Sequence, residues 1–331
     1  MTAEHPWVDF EAWADHAADS PLYQILARRI AVDDEMSALA SEIENPAPQN
    51  LLFASVQFLL TGDDPLASFF ASRTEHPAPP DLAWDAFRSF ALDNRDRILQ
   101  LGRTRRTQTN EVGRVAAMLP ILASEADRLG EPVHLVEVGA AAGLNLCLDR
   151  FRYEIAGSVF GQSDLTLRVE SRGGLEAPRR APYVQRRVGI DLDPVDIDDP
   201  EDVRWLEALV WPEQHERRRR LRSALRIRRT VQVEMVEGDA SVTIGPVLDS
   251  LPTSGPAIVF HSFTWNQFDA AARVRFEAAI ERAASKRSLS RIGFEYWGGA
   301  AEWPQIRLGL RSDTARPVAE AHPDGDWFRG L

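Results

Sequence analysis

The chain has 331 residues, enough for one large domain or two ordinary ones, and 44% hydrophobic with 27% charged residues describes a globular protein, not a disordered or fibrous one. A net charge of −12 disfavours a general nucleic-acid binder, which needs a basic surface to meet phosphate. Apolar runs such as Leu51–Leu60 fall far short of the ~20 residues of a bilayer span, so no membrane partner is expected, and the acidic start Met1–Ser20 lacks the basic and apolar regions of a signal peptide.

Residues 1–130 read as an all-helical region, a candidate lid. Phe10–Ala18, Pro21–Ala31, Asp33–Ile43, Asn50–Leu60 and Trp84–Arg105 space apolar residues at three and four, and Ser20-Pro21 and Asp64-Pro65 are helix-start signals. No convincing strand precedes Pro132. Just before the apolar helix Val115–Leu122, the segment Arg103–Arg114 concentrates Arg106, Gln108, Asn110, Glu111 and Arg114. It reads either as a helix start capped by Thr109 or Asn110, or as a pocket cover that supplies substrate contacts.

From 131 to 331 the pattern changes. Val133–Val138 is an almost continuous apolar run, as expected of a strand buried on both faces. Arg187–Ile190, Val231–Val236, Ala257–Phe260 and Arg291–Tyr296 are similar, with helical stretches Leu144–Phe151, Asp202–Arg229 and Phe268–Ser285 between them. Alternating strands and helices predict an α/β fold with a Rossmann-like, doubly wound, mostly parallel sheet. Gln305–Arg311 and Pro317–Ala321 predict an antiparallel strand pair at its end, and residues 153–182 read as an insertion with a strand at Leu165–Glu170. Cys147 is the only cysteine, which excludes an intrachain disulfide and fits a cytoplasmic location. Eight arginines crowd His215–Arg229; they suggest a solvated helix face balancing acidic neighbours, with an anionic-ligand patch as the alternative.

The chemistry-bearing signal is Val136-Glu137-Val138-Gly139-Ala140-Ala141-Ala142-Gly143-Leu144, a buried strand running into a turn of small residues that lets a ligand approach the backbone. A helix start after the turn would offer free N–H groups. The spacing resembles the first motif of S-adenosylmethionine enzymes, acidic-x-Gly-x-Gly-x-Gly, with Ala141 in place of the middle glycine. Glu137 then faces a ligand ammonium group, and Glu137, Gly139, Ala140, Ala141 and Gly143 are candidate cofactor contacts; a tight turn without ligand is the alternative.

In such folds the acid after the next strand takes the ribose hydroxyls, which selects Asp191, although it lies more than twice as far beyond Gly143 as the roughly 20 residues usual for a Rossmann unit. Asp164 has the customary separation but follows a turn. Gly238-Asp239-Ala240, after the third strand, is placed to hold adenine, or else Asp239 is a helix cap. The fourth strand ends in His261-Ser262-Phe263-Thr264-Trp265-Asn266-Gln267. Ligands of open α/β sheets bind at strand carboxyl ends, so His261, Trp265 and Asn266 are candidate catalytic residues. His261 would act as base, and Trp265 with Phe263 would lie against a sulfonium cation, unless His261 is a satisfied structural group. Glu295 approaches the same edge from the last parallel strand. No metal site is expected.

Thr107-Gln108-Thr109-Asn110-Glu111-Val112-Gly113-Arg114, the run Glu137–Leu146, Arg187-Val188-Gly189-Ile190-Asp191 and Arg204-Trp205-Leu206 with Val210-Trp211-Pro212 together resemble a bacterial domain-of-unknown-function family, number 2332. The resemblance spans essentially the whole chain. That family is similar in fold to class I S-adenosylmethionine-dependent methyltransferases, which implies the fold and an S-adenosylmethionine site but no established reaction; Ala141 stands where its motif usually has serine. The expected function is methyl transfer to a small or medium-sized acceptor. The alternative is a Rossmann-like protein that binds a nucleotide or metabolite without catalysis. A nicotinamide oxidoreductase is disfavoured by the acid in front of the turn and by the missing middle glycine.

Overall fold

The computed structural model describes residues 9–130, 132–298 and 301–331; the first eight residues of the acidic start lie outside them. The helices are α1 (Phe10–His16), α2 (Pro21–Ile30), α3 (Asp34–Ser41), α4 (Pro48–Leu59), α5 (Trp84–Asp93), α6 (Arg95–Thr104) and α7 (Gly113–Leu129). They continue with α8 (Pro200–Ala208), α9 (His215–Arg228), α10 (Ala240–Ser250) and α11 (Ala270–Ala284). The strands are β1 (Val133–Val138), β2 (Arg152–Ile155), β3 (Ser158–Phe160), β4 (Thr166–Ser171), β5 (Val184–Asp191) and β6 (Glu234–Glu237), followed by β7 (Ala257–Ser262), β8 (Leu289–Glu295), β9 (Gln305–Leu308), β10 (Arg316–Ala321) and β11 (Trp327–Gly330). Two compact units result: Met1–Thr109 with Asp198–Arg219, and Asn110–Ile197 with Arg220–Leu331.

The first unit is helical. Side-chain caps set the starts of α1 and α3, Asp9 accepting from the Ala12 N–H and Asp33 from the Met36 N–H, each at 2.9 Å. α4 is buried nearly all round, and Tyr23 stacks on its Phe53 at 4.3 Å. The stretch expected as one helix over Trp84–Arg105 is two. Asn94 breaks it, with φ −103° and ψ 16°, and its side chain takes the Phe90 carbonyl at 2.9 Å, a helix partner's place. α8 returns to this unit, where Trp205 and Ala208 join the core and Gln57 donates to the Ala208 and Val210 carbonyls at 2.7 and 2.9 Å. The boundary read near residue 130 therefore falls at Thr109/Asn110 instead, because α7 packs on the sheet.

Among the described residues the second unit holds one sheet of eleven strands, in the order β3-β2-β4-β11-β10-β9-β8-β7-β1-β5-β6. β6, β5, β1, β7 and β8 are all parallel, whereas β8-β9-β10-β11 is an antiparallel meander. Val136, Val138, Val188, Ile190 and Val259 pack against α10 and α11. Residues of opposite parity, among them Leu135, Ile258 and Phe260, face the other way, and α7 meets β7 and β8. After β1 the chain builds β2, β3 and β4 at the far edge, then places β5 and β6 on one side of β1 and β7 on the other, so the order reverses between β1 and β7.

Three sequence expectations need correction. Leu144–Phe151 is not an α-helix but a 3-10 turn over Asn145–Arg150 with Cys147 at φ −91°, ψ 17°. Arg187 takes the Leu146 carbonyl at 3.0 Å and Tyr153 that of Leu148 at 2.7 Å, which occupies acceptors an α-helix would use. Asp202–Arg229 divides into α8 and α9 around Pro212, and the Arg218 guanidinium takes the Glu207, Val210 and Trp211 carbonyls exposed by the break. The inserted residues 153–182 extend the sheet as β2, β3 and β4, joined to it by β11, a strand missed in the sequence.

Candidate functional site

The strand order reverses at the carboxyl ends of β1 and β7, the position at which open α/β sheets bind ligands. The turn after β1 lies there. Gly139, Ala141 and Gly143 all have positive φ (73°, 49° and 69°), so the turn uses left-handed backbone three times, once at an alanine. Its backbone groups are tied down by the protein. Gly139 and Ala140 donate to the Ile190 carbonyl, Ala141 to Asp191 Oδ2 at 2.7 Å, and Leu144 to Asn110 Oδ1 at 3.3 Å. The Ala142 carbonyl accepts from Arg228 at 3.2 Å. The open side of Gly139 is covered as well: a β-carbon there would overlap the Thr264 hydroxyl. With a 3-10 turn following, no α-helix start stands free to greet a ligand.

Glu137 is different. It is 2% exposed; its Oε1 accepts from Asn145 Nδ2 at 2.9 Å, and its Oε2 has no partner. Asn145, 4% exposed, has an equally unpartnered Oδ1. Burial pushes the Glu137 carboxyl up to about 8; the Asn145 bond and Arg114 oppose the rise, and nearby Asp191 adds to it. At neutral pH this is largely a protonated acid with unmet hydrogen-bonding capacity.

Asp191 ends β5, next to β1, and both its oxygens accept backbone N–H groups, Ala141 at 2.7 Å and Asp193 at 3.0 Å. Asp239 caps α10 through the Ser241 N–H at 2.8 Å and lies 3.9 Å from Arg275; Ala240 opens that helix, 7% exposed.

At the ends of β7 and β8 the polar groups are closed on one another. His261 is 1% exposed; Nδ1 meets Glu295 Oε1 at 2.7 Å, and Nε2 accepts from Arg291 Nε at 3.2 Å, which places the imidazole proton on Nδ1. Burial lowers its pKa, so it is neutral. Arg291 is itself buried, drawn down to about 10, and paired with Glu277 at 3.3 Å. Glu295 Oε1 also accepts the Thr264 and Trp265 N–H groups at 2.9 and 3.0 Å, and Oε2 takes Asn266 Nδ2 at 3.3 Å. Trp265 is buried with the Arg291 guanidinium 4.3 Å over its ring. His261, Trp265 and Asn266 are thus brought together, but by a carboxylate that fixes their loop. Phe263, at φ 54°, is a strained position for a bulky residue, and Arg114 lies 4.4 Å over its ring.

Residues 8–329 match the model of a family described as "Uncharacterized protein conserved in bacteria (DUF2332)". The chain belongs to this family. A search of curated proteins gave no match.

The Arg103–Arg114 motif of this DUF2332 chain divides between the units. Arg106, exposed, and Gln108 lie in the helical unit, where the Arg106 carbonyl accepts from Trp205 Nε1 at 2.9 Å. In the sheet unit Asn110 clamps the glycine turn, donating to the Ala140 carbonyl at 3.2 Å while accepting from Leu144. Glu111, buried, accepts the Gly113 N–H at 2.9 Å and pairs with Arg220 at 3.2 Å; Arg114 donates to the Pro323 carbonyl at 3.0 Å. Arg228, which ends α9, and Arg229 just after it do similar structural work, binding the Ala142 and Ile197 carbonyls. Sequence reasoning overlooked Asn145, Thr264 and Arg291. Each carried a signal, Asn145 as a polar residue in an apolar run, Arg291 as a charge opening a buried one and Thr264 as a member of the strand-end motif His261–Gln267.

Proposed function

We propose that the sheet unit is a Rossmann-like, class I methyltransferase-type domain that binds S-adenosylmethionine at the β1/β7 crevice. The observation that carries this reading is Glu137, a fully buried acid on the first strand, beside the reversal of strand order, with one oxygen unpartnered. Such an atom is costly unless a ligand group completes it. The residues fit an amino-acid-bearing nucleoside in kind: Glu137 with Asn145 for an ammonium group, Asp191 for ribose hydroxyls, Asp239 and Ala240 for the adenine edge. Approach to Gly139 requires the Thr264 side chain to turn aside, since it covers that glycine.

The cofactor would supply an activated methyl group. This chain's own part is then placement and exclusion of water rather than proton transfer, because both His261 nitrogens are engaged inside the protein. The same observation favours a second reading, a nucleotide- or metabolite-binding protein without catalysis. Titration with S-adenosylhomocysteine, adenosine and NAD, followed by calorimetry, tests binding: the first two are expected to bind, and a preference for NAD overturns the proposal. Methyl transfer from labelled S-adenosylmethionine to a pool of small metabolites separates the two readings.

A further inference from the structure

We propose that Phe263-Thr264 is a hinged strap that closes over the glycine turn and swings aside to let a ligand lie on Gly139. Thr264 is the cover. A β-carbon built on Gly139 would stand 2.1 Å from its Oγ1, 3.0 Å from its Cγ2 and 3.1 Å from its Cβ, so Thr264 fills the space that the missing side chain leaves open. The cover is lightly held. Its hydroxyl has a single proton to give, and its two acceptors, the Val138 and Ser262 carbonyls, lie at 3.2 and 3.3 Å.

The hinge is the residue before it. The Phe263 N–H continues the ladder between β7 and β8, donating to the Phe294 carbonyl at 3.0 Å. Trp265 is anchored in the core beside α10 and α11, with its carbonyl taken by Arg273 at 3.2 Å. Between these fixed points Phe263 has φ 54°, a left-handed conformation that is costly for a bulky residue. Glu295 Oε1 holds it there by accepting the Thr264 and Trp265 N–H groups at 2.9 and 3.0 Å, besides His261 Nδ1 at 2.7 Å. Turning the Thr264 peptide away breaks the first of these bonds alone. The carboxylate keeps His261, Trp265 and Asn266, so no buried charge is left without partners. The strain released at Phe263 is of the same order as the one bond lost, so the two arrangements lie close in energy. The Phe263 ring is only half-buried, against Phe294, Arg114 and the 46% exposed Tyr296, and it moves without opening a core.

That the strap guards a cofactor rests on the reading above; that it opens does not. Amide hydrogen exchange of the full chain, read residue by residue without added ligand, tests the opening. Protection at Thr264 should fall at least about tenfold below that of Phe263 and Trp265 on either side. Two variants isolate the strain, because Phe263→Ala and Phe263→Gly both lose the ring and differ chiefly in tolerance of a positive φ. Thr264 should exchange roughly fivefold faster in the alanine variant than in the glycine variant. Equal protection at the three amides, or equal exchange in the two variants, overturns the strap. Calorimetric titration with S-adenosylhomocysteine tests what it guards. Thr264→Ala should bind about three- to tenfold tighter than wild type, since the fraction of molecules with Gly139 uncovered rises. Phe263→Gly should bind more weakly than Phe263→Ala. S-Adenosylhomocysteine that binds wild type and Thr264→Ala alike overturns the strap and spares the cofactor reading. Opening seen by exchange, with no binding to any variant, supports the strap and sinks the cofactor reading.

Discussion

Asp191 Oδ2 accepts the Ala141 N–H at 2.7 Å, so the acid that ends one parallel strand holds the left-handed alanine in the turn of its neighbour. Removing it tests both the fold and the proposed ribose contact. Asp191→Ala should cost roughly 1.5–3 kcal/mol of stability, the worth of hydrogen bonds to a charged group, measured by urea denaturation. S-Adenosylhomocysteine affinity should fall at least tenfold; undiminished affinity would leave Asp191 a turn brace and no ribose ligand.

Ala141 carries a conformational penalty that glycine lacks. Ala141→Gly is expected to be stability-neutral to stabilising, by up to about 1 kcal/mol, since relief of the left-handed strain is offset by the freer unfolded chain. A loss of more than 1 kcal/mol would show that the alanine methyl packs in a way that outweighs its backbone.

Glu137 and His261 should give opposite pH signatures. The folded Glu137 carboxyl titrates near 8 and the ordinary carboxyl at 4.5, so the fold holds an extra proton between these values. Its contribution is complete below about pH 4.5 and lost as pH rises toward 8. Glu137→Gln should therefore remove a loss on the order of 3–5 kcal/mol from pH 5 to pH 8.5, read from denaturation midpoints. His261 is held neutral with a lowered pKa, so its unfolded form binds the extra proton and stability fades as pH falls through about 6.5.

His261 also tests whether its imidazole meets a ligand. His261→Ala breaks the buried link between Glu295 and Arg291 and should destabilise by about 3 kcal/mol or more. At a temperature where the variant stays folded, S-adenosylhomocysteine affinity should remain within a few-fold of wild type. A collapse of affinity would place the imidazole against the ligand.

Gly139→Ala should unfold or severely destabilise the protein, because the new β-carbon overlaps the Thr264 hydroxyl and φ stays positive. Adding Thr264→Ala should recover part of the loss, visible as a rise in melting temperature over the single variant. No recovery would assign the whole cost to the backbone strain.

The sequence by itself determined the elements whose signal is local. A continuous apolar run made β1 legible as a strand buried on both faces, and Glu137, Gly139 and Gly143 marked the turn that follows, because the alternation of buried strand and small-residue turn is written in adjacent residues. The antiparallel pair β9 and β10 was equally plain. Tertiary structure alone decided what the polar residues do. Asn110's amide spans the Ala140 carbonyl and the Leu144 N–H, and both His261 nitrogens meet Glu295 and Arg291, more than 25 positions later in the chain, partners that no local pattern announced. The 3-10 turn after Gly143 likewise owes its form to Arg187 and Tyr153 taking its carbonyls. Backbone conformation follows short-range sterics, whereas a side chain's role depends on which distant partner desolvates it and satisfies its hydrogen bonds.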